Sequence, residues 1–437
     1  IDSFVIVFSI YCISSTPHCT YLFQDNKWIH GLFIRYVCKL FTNIENIVKT
    51  FYETVIITSP ESRGNTMRVP YRYDYVGSFL RPEKLKEARK QYENKEIEYV
   101  SLKKVEDECI TELVTKQKQA GYHFITDGEF RRTWWHMDFF WGLNGIEKVN
   151  TIDGLHFHGE TTRNESARIT GKISGKGHPF VEDFKFVKQF EEEGVEVKQT
   201  IPAPTQLLAQ LRLPEFQKEN EAVYPDQEEL KKDIVKAYTE VIEELYAAGC
   251  RNLQFDDCTW TLYADPDMWN QFGLTEEKLK AICEEGVALN NAVLACKKED
   301  MVINTHVCRG NFHSTYANVG PYDPVAPYLF AKEDVDAFYL EYDSDRAGGF
   351  EPLKYVPDHK KVVLGLITSK NGELEDKLRI IRRIHQAALY HPLQNLCLSP
   401  QCGFASTEEG NKLTEEQQWA KLALIKEIAE EVWKDCK

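Results

Sequence analysis

The stretch ELKKDIVKAYTEVIEELYAAGCRNLQFDDC, residues 229–258, decides the fold. Its first part spaces apolar residues as one face of a helix and stops at Gly249, a helix-ending residue. The short run NLQF that follows reads as a strand, and the strand runs out on two acids, Asp256 and Asp257.

The same unit recurs on both sides. DYVGS (74–78) precedes the helical PEKLKEARKQYENK, and SLKKVEDECITELVTKQKQAG (101–121) runs into HFITDGEF. VEVKQTIPAP (195–204) comes before the opening stretch. The helical EEKLKAICEEGVALNNAVLACKK (276–298) leads into MVINTHVC, and DAFYLEYD, KVVLGLITSK and NLCLSPQC complete the set. Strands alternating with helices imply a parallel sheet, and roughly eight such units suit a closed (β/α)8 barrel of the α/β class. No repeat, low-complexity tract or Gly/Ser linker divides residues 67–437, so they read as a single barrel domain. The Gly-rich, charged stretch from about 136 to 195 reads as an elaborated loop or hairpin over one barrel face.

With 437 residues, 43% of them hydrophobic, the chain can bury a large core. Its net charge of -15, with basic residues interspersed among acidic ones, leaves no cationic track, so nucleic acid is excluded as a partner. Twelve cysteines are scattered without the dense spacing of a secreted scaffold. They read as reduced thiols of a cytoplasmic chain, with Cys109, Cys250, Cys283 and Cys296 as inert core residues. Residues 1–66 differ in character: SFVIVFSIYCIS is too short to span a bilayer and lacks the positive flank of a signal peptide. They read as an extension outside the working module, with a membrane anchor as the second reading; no membrane partner is expected for the barrel.

In such barrels chemistry gathers where strands end. Glu129 follows FITDG, Asp256 follows NLQF, His306 and Cys308 follow VINT, Glu341 follows FYL, Lys370 follows GLITS, and Cys402 follows LCLSPQ. In extended backbone, residues two apart face the same side, so His306 and Cys308 can present nitrogen and sulfur to one ion. Alone, the pair is also what two polar residues after a strand look like. Glu341 and Cys402, each just past its own strand, make it a set of His, Cys, Glu and Cys, and that donor mixture favours zinc.

THVC, the Glu of YLEYDSD and the Cys of SPQCGF resemble the zinc motifs of cobalamin-independent methionine synthases, and VGS, DGEF and the first Asp of FDDC match as well. The resemblance runs from about Tyr73 to the C-terminus and covers a single catalytic-type barrel, the short branch of the family. It implies a zinc-dependent methyltransferase that converts homocysteine to methionine, with Gly77, Ser78, Glu129 and Asp256 holding the amino-acid end of the substrate. The physics agrees: carboxylates suit an ammonium group, and backbone NH groups of a Gly-Ser turn suit a carboxylate. The plainer alternatives are that Asp256 and Asp257 cap the next segment and that Glu129 pairs with Arg131 or Arg132.

Zinc fits such a reaction because a free thiol, with a pKa of about 8.5, is mostly protonated at neutral pH. Two cysteinates and a glutamate leave a zinc-bound substrate sulfur nucleophilic. At the donor side the chain departs from the pattern. Lys370 aligns with the family's proton-donating histidine, which makes it the candidate general acid, or else a solvated surface lysine. Ala209 and Leu262 fall where the family places a pterin-stacking tryptophan and an acidic folate contact. Methylfolate then binds against Trp134, Trp135 or Trp260, unless these three only pack the core or rim, or else the donor is different, including a methylated corrinoid. Another small thiol as acceptor, and a non-catalytic zinc-containing protein that binds homocysteine or methionine, are the other readings. Arg309, Gly310 and Asn311 suit either an anion pocket or a tight turn supporting the metal loop.

Overall fold

A computed structural model describes residues 70–434. The expected extension, residues 1–66, lies outside the described residues.

Eleven strands are present among them: β1 (Phe124–Ile125), β2 (Asn144–Asn150), β3 (His156–Phe157), β4 (Glu160–Thr161), β5 (Glu165–Ser174), β6 (Glu196–Pro202), β7 (Asn252–Asp256), β8 (Val302–Val307), β9 (Ala337–Glu341), β10 (Lys361–Ile367) and β11 (Leu396–Pro400). Seven form one sheet in the order β1-β6-β7-β8-β9-β10-β11, with every neighbouring pair parallel. The segment around Tyr73 supplies the eighth position. It bridges to Leu398 in parallel, with Asp74 N–H donating to the Leu398 carbonyl (3.0 Å) and Leu398 N–H to the Arg72 carbonyl (2.9 Å). The expected (β/α)8 barrel is the fold. Its central strands, β7 to β9, are buried along their whole length, as strands covered on both faces must be.

The helix Gln227–Ala247 shows why the opening stretch folds as it does. Asp226 caps it, its carboxylate accepting from Glu228 N–H at 2.9 Å, which satisfies one of the unpaired donors of the first turn. Leu230, Ile234, Val241 and Leu245 form the buried stripe against the sheet. Gly249 then takes φ +103°, a conformation other residues avoid, and Cys250 N–H closes the end on the Leu245 carbonyl (2.9 Å). β7 begins three residues later.

The stretch 136–195 is richer than a hairpin. It starts with the helix Met137–Gly142, crosses the antiparallel pair β2 and β5 with the small β3–β4 hairpin between them, and ends with the helix Pro179–Lys188. The sequence signal there was mixed because β2 alternates buried and exposed residues only weakly. Among the described residues, no helix is long and apolar enough to cross a membrane.

Candidate functional site

The strand-end residues surround a cavity of about 490 Å³. Val76, Ser78, Glu129, Asp256, His306, Cys308 and Cys402 line it, Trp134, Trp135 and His136 form an aromatic wall, and Leu155, His156 and Phe157 reach it from the β3–β4 hairpin. Parallel register produces this convergence: Asp256 of β7 stands opposite His306 of β8, so side chains two residues apart on one strand meet those at the same height on the next.

His306, Cys308 and Cys402 each offer a donor atom, and these three atoms lie within 4.8 Å of one another, all buried. The two sulfurs are 3.9 Å apart. Two thiolates on one tetrahedral ion at bond lengths of about 2.3 Å would sit about 3.8 Å apart, so the donor set fits a zinc-sized ion. His306 Nδ1 is held by Asp256 Oδ1 at 2.9 Å, and Nε2 lies 3.2 Å from the Gln401 carbonyl. Burial alone would lower the pKa of this imidazole, but its hydrogen bonds to Asp256 and Cys402 outweigh it and raise the value to about 10. Contact with the Cys258 thiol, together with burial, pushes the Cys308 thiol well up, and contact with Cys308 plus burial does the same to Cys402. A cation bound between the two sulfurs would favour their ionised forms against these effects.

Glu341 is not brought into this group. It ends β9 fully buried, and its Oε2 accepts from Arg309 N–H at 2.8 Å while Oε1 faces Arg346 at 3.4 Å. The backbone N–H next to Cys308 takes the carboxylate that the sequence assigned to the ion. Arg309 is structural: its guanidinium donates to the Gly320 carbonyl (2.6 and 3.0 Å) and stacks on Tyr322, which supports the tight turn and argues against an anion pocket.

Glu129 sits at φ +60°, a strained position for a residue with a Cβ. Its Oε1 accepts from the Thr200 hydroxyl (2.9 Å) and meets Arg132 at 3.2 Å, whereas its buried Oε2 has no partner. Burial, opposed by Arg132, lifts its pKa to about 7. An unpaired buried acceptor on a cavity wall is costly unless a ligand completes it. Of the two neighbouring acids, Asp256 faces the cavity and Asp257 does not. Asp257 is instead held by Thr205, by the Thr259 hydroxyl and backbone N–H, and by Asn290, so it ties the next segment to its neighbours.

Gly77 is close to the site but does not line it. A Cβ there would fall 2.8 Å from Thr200 Cγ2, beside the hydroxyl that holds Glu129. Ser78 lines the cavity, and its Oγ accepts from Ala405 N–H (3.3 Å). It leaves room for nothing larger than glycine at 403, where a Cβ would lie 1.9 Å from that oxygen.

Lys370 is neither solvated nor directed at the cavity. It is 8% exposed, and its ammonium donates to the Gly310 carbonyl (3.0 Å), Asn311 Oδ1 (3.0 Å) and the Thr315 carbonyl (2.8 Å). All three protons are used in tying down the loop after β8. Ala209 and Leu262 do line the cavity, as do Trp134 and Trp135, whereas Trp260 is a core residue packed over Gly286.

Three contributors escaped the sequence reading. Cys258, two residues past the end of β7, brings its sulfur to 3.3 Å from that of Cys308. Thr200 positions Glu129 from the neighbouring strand. His136 lines the cavity with a buried Nδ1 that has no partner, and burial lowers its pKa to about 3, so the ring is neutral. Only Cys258 had a legible signal: it stands two residues after Asp256, as Cys308 stands two after His306, the residue opposite Asp256 on the next strand.

Residues 74–431 match the family described as the cobalamin-independent synthase catalytic domain. YxjH of Bacillus subtilis is 44% identical over 371 residues, 84% of this chain and 96% of that protein. A structure from Listeria monocytogenes, described as a putative vitamin-B12 independent methionine synthase, superposes with a TM-score of 0.66 at 36% identity, covering 84% of this chain and 99% of that one. A B12-independent methionine synthase from Shewanella sp. W3-18-1, at 21% identity and a TM-score of 0.63, shares the fold over 83% of this chain and 98% of its own.

Proposed function

The chain belongs to the family of cobalamin-independent synthase catalytic domains, and from that premise we propose that it transfers a methyl group to the thiol of homocysteine to give methionine. The observation that carries this reading is the meeting, in one cavity, of the His306, Cys308 and Cys402 donor atoms with the unpaired Glu129 carboxylate oxygen.

His306, Cys308 and Cys402 are the residues that would hold a zinc ion, with His306 presenting Nε2 once it exchanges the Gln401 carbonyl. When bound, zinc supplies the positive charge that lets a substrate thiol lose its proton and stay nucleophilic at neutral pH. Asp256 fixes the His306 ring by holding Nδ1–H, the usual outer support of a metal-binding imidazole. Glu129 takes the substrate ammonium on Oε2, with Arg132 and Thr200 keeping the carboxylate in place, and Ser78 and the neighbouring backbone receive the substrate carboxylate. Glu341 acts from behind, bracing the Cys308–Arg309 backbone.

The aromatic rings of Trp134 and Trp135, in a cavity that Ala209 and Leu262 also line, suit a planar methylfolate-type donor. The family's cobalamin independence speaks against the corrinoid. Lys370 serves as a brace of the loop that carries Asn311. A site that depends on two thiols also fits a reducing compartment, the cytoplasm.

Replacing Cys402 with Ser tests the reading. We expect metal content, read by plasma mass spectrometry, to fall to background, and methionine formation from homocysteine and methyltetrahydrofolate to fall by at least about 10³-fold. A metal-free C402S protein with full activity overturns the proposal. Methionine formed only from methylcobalamin moves the donor to the corrinoid, and none from either donor, with metal retained, leaves the binding-protein reading.

A further inference from the structure

We infer that Cys258 and Cys308 are a site of reversible oxidative modification, joining as a disulfide that withdraws Cys308 from the His306–Cys308–Cys402 group; the functional consequence rests on the metal-site reading above.

The geometry is set by strand register. Asp256 stands opposite His306 across the β7–β8 pair, so the residues two further along, Cys258 and Cys308, leave neighbouring parallel strands side by side. The strands they leave run about 4.8 Å apart in a sheet, and a disulfide spans roughly 4.4–6.8 Å between Cα atoms. The Thr261 hydroxyl holds the two loops in this relation, lying 2.7 Å from the Cys308 carbonyl and 3.0 Å from the Cys258 carbonyl. The sulfurs are 3.3 Å apart, closer than Cys308 is to Cys402 at 3.9 Å. Bond formation asks for a side-chain movement of little more than an ångström, to about 2.05 Å, with no movement of either strand.

Access favours the same pair. Cys258 is half-buried and lines the cavity, and Cys308 lines it while buried. The other cysteines of the core, Cys109, Cys250, Cys283 and Cys397, are buried and do not line it. A small peroxide entering by the substrate's route therefore meets Cys258 first. Its sulfur attacks one peroxide oxygen, the O–O bond breaks and water leaves, giving a sulfenic acid. The Cys308 sulfur then displaces the hydroxyl from that sulfur, releasing a second water. In sum, two thiols and one hydrogen peroxide give one disulfide and two waters, and an added dithiol reverses the change. With Cys308 tied up, only His306 and Cys402 remain of the three donors.

The test uses the full chain, as purified, with hydrogen peroxide as the oxidant. After exposure to a few equivalents, free thiols are alkylated and the protein is mapped by mass spectrometry without reduction, while a chromogenic chelator follows zinc release. We expect a Cys258–Cys308 cross-linked peptide lighter by two hydrogens, zinc release at the same rate as cross-linking, and recovery of both thiols with dithiothreitol. Cys258→Ser should release zinc at least ten-fold more slowly under the same dose, and Cys258→Ala serves as a second variant should serine perturb folding. A cross-link between Cys308 and Cys402 instead, no cross-link at all, or equal zinc release from wild type and both variants overturns the inference. The peptide map reads the disulfide in protein free of zinc too, so failure of the metal reading and failure of this one give different results.

Discussion

Two buried carboxylates at different heights of the barrel behave oppositely. Asp74, in the barrel interior near Lys198, accepts from Tyr75 N–H (2.7 Å), from the Lys198 ammonium (3.0 Å) and from the Tyr339 hydroxyl. Lys198 is in turn surrounded by the rings of Tyr75, Phe124 and Tyr339. Glu129, at the strand-end rim, is equally buried but strained in its backbone and unpaired at one oxygen. A polar group whose partners are all supplied by the chain holds the fold, and one whose partner is missing waits for a ligand. The neighbours Asp256 and Asp257 differ in placement: Asp257 is held within the fold by Thr205, Thr259 and Asn290, whereas Asp256 lines the cavity and holds His306.

Several substitutions sharpen or break this distinction. The largest effect on stability is expected at the interior pair, where Lys198→Met strands the Asp74 charge and should cost about 3–5 kcal/mol in urea unfolding. If the loss is no greater than for a rim variant, the interior cluster does not hold the fold.

Glu129→Gln should act in the opposite direction. The folded protein raises this carboxyl from 4.5 to about 7, so its folded state prefers the protonated form. The stability that preference contributes is full below pH ~4.5 and is lost as pH rises through about 7. A glutamine stays neutral throughout, so above pH 7 the variant should be more stable than the parent by on the order of 2 kcal/mol. It should also bind homocysteine about 10- to 100-fold more weakly, since a charge-assisted hydrogen bond is lost. In the parent, homocysteine affinity measured by calorimetry should rise as pH passes about 7; a flat profile counts against Glu129 as the ammonium partner.

The smallest effect is expected at Lys370. Lys370→Gln keeps one donor to the loop and should cost about 1 kcal/mol. Its kcat should retain the parent's pH profile, because the lysine braces Gly310, Asn311 and Thr315 and does not deliver a proton. Disappearance of one limb of that profile makes it the general acid after all and removes it from the structural class.

Much of the site was legible because the rule that chemistry collects at strand ends needs only the strands, and the short runs NLQF, VINT and FYL between helical stretches mark those plainly. That rule names His306, Cys308, Cys402, Glu129 and Asp256, and the structure gathers all five around one cavity. It also names Glu341 and Lys370, which are turned away from the cavity by hydrogen bonds to the loop after β8. Those bonds join residues about 30 and 60 positions apart, and no local pattern announces them. Cys258 was missed for a related reason: its importance comes from a neighbour on the adjacent strand.

By itself the sequence determined the alternation of strands and helices, and with it the (β/α)8 barrel and the list of residues at its rim. Periodicity and helix-ending glycines are local, and the barrel is the compact way for such units to bury both faces of a parallel sheet. Only the tertiary structure decided which rim residues face the cavity, which carboxylates are already satisfied, and that a third thiol stands beside Cys308. Those outcomes depend on register between strands and on competition among hydrogen-bond partners distant in the chain, and neither is written in the order of neighbouring residues.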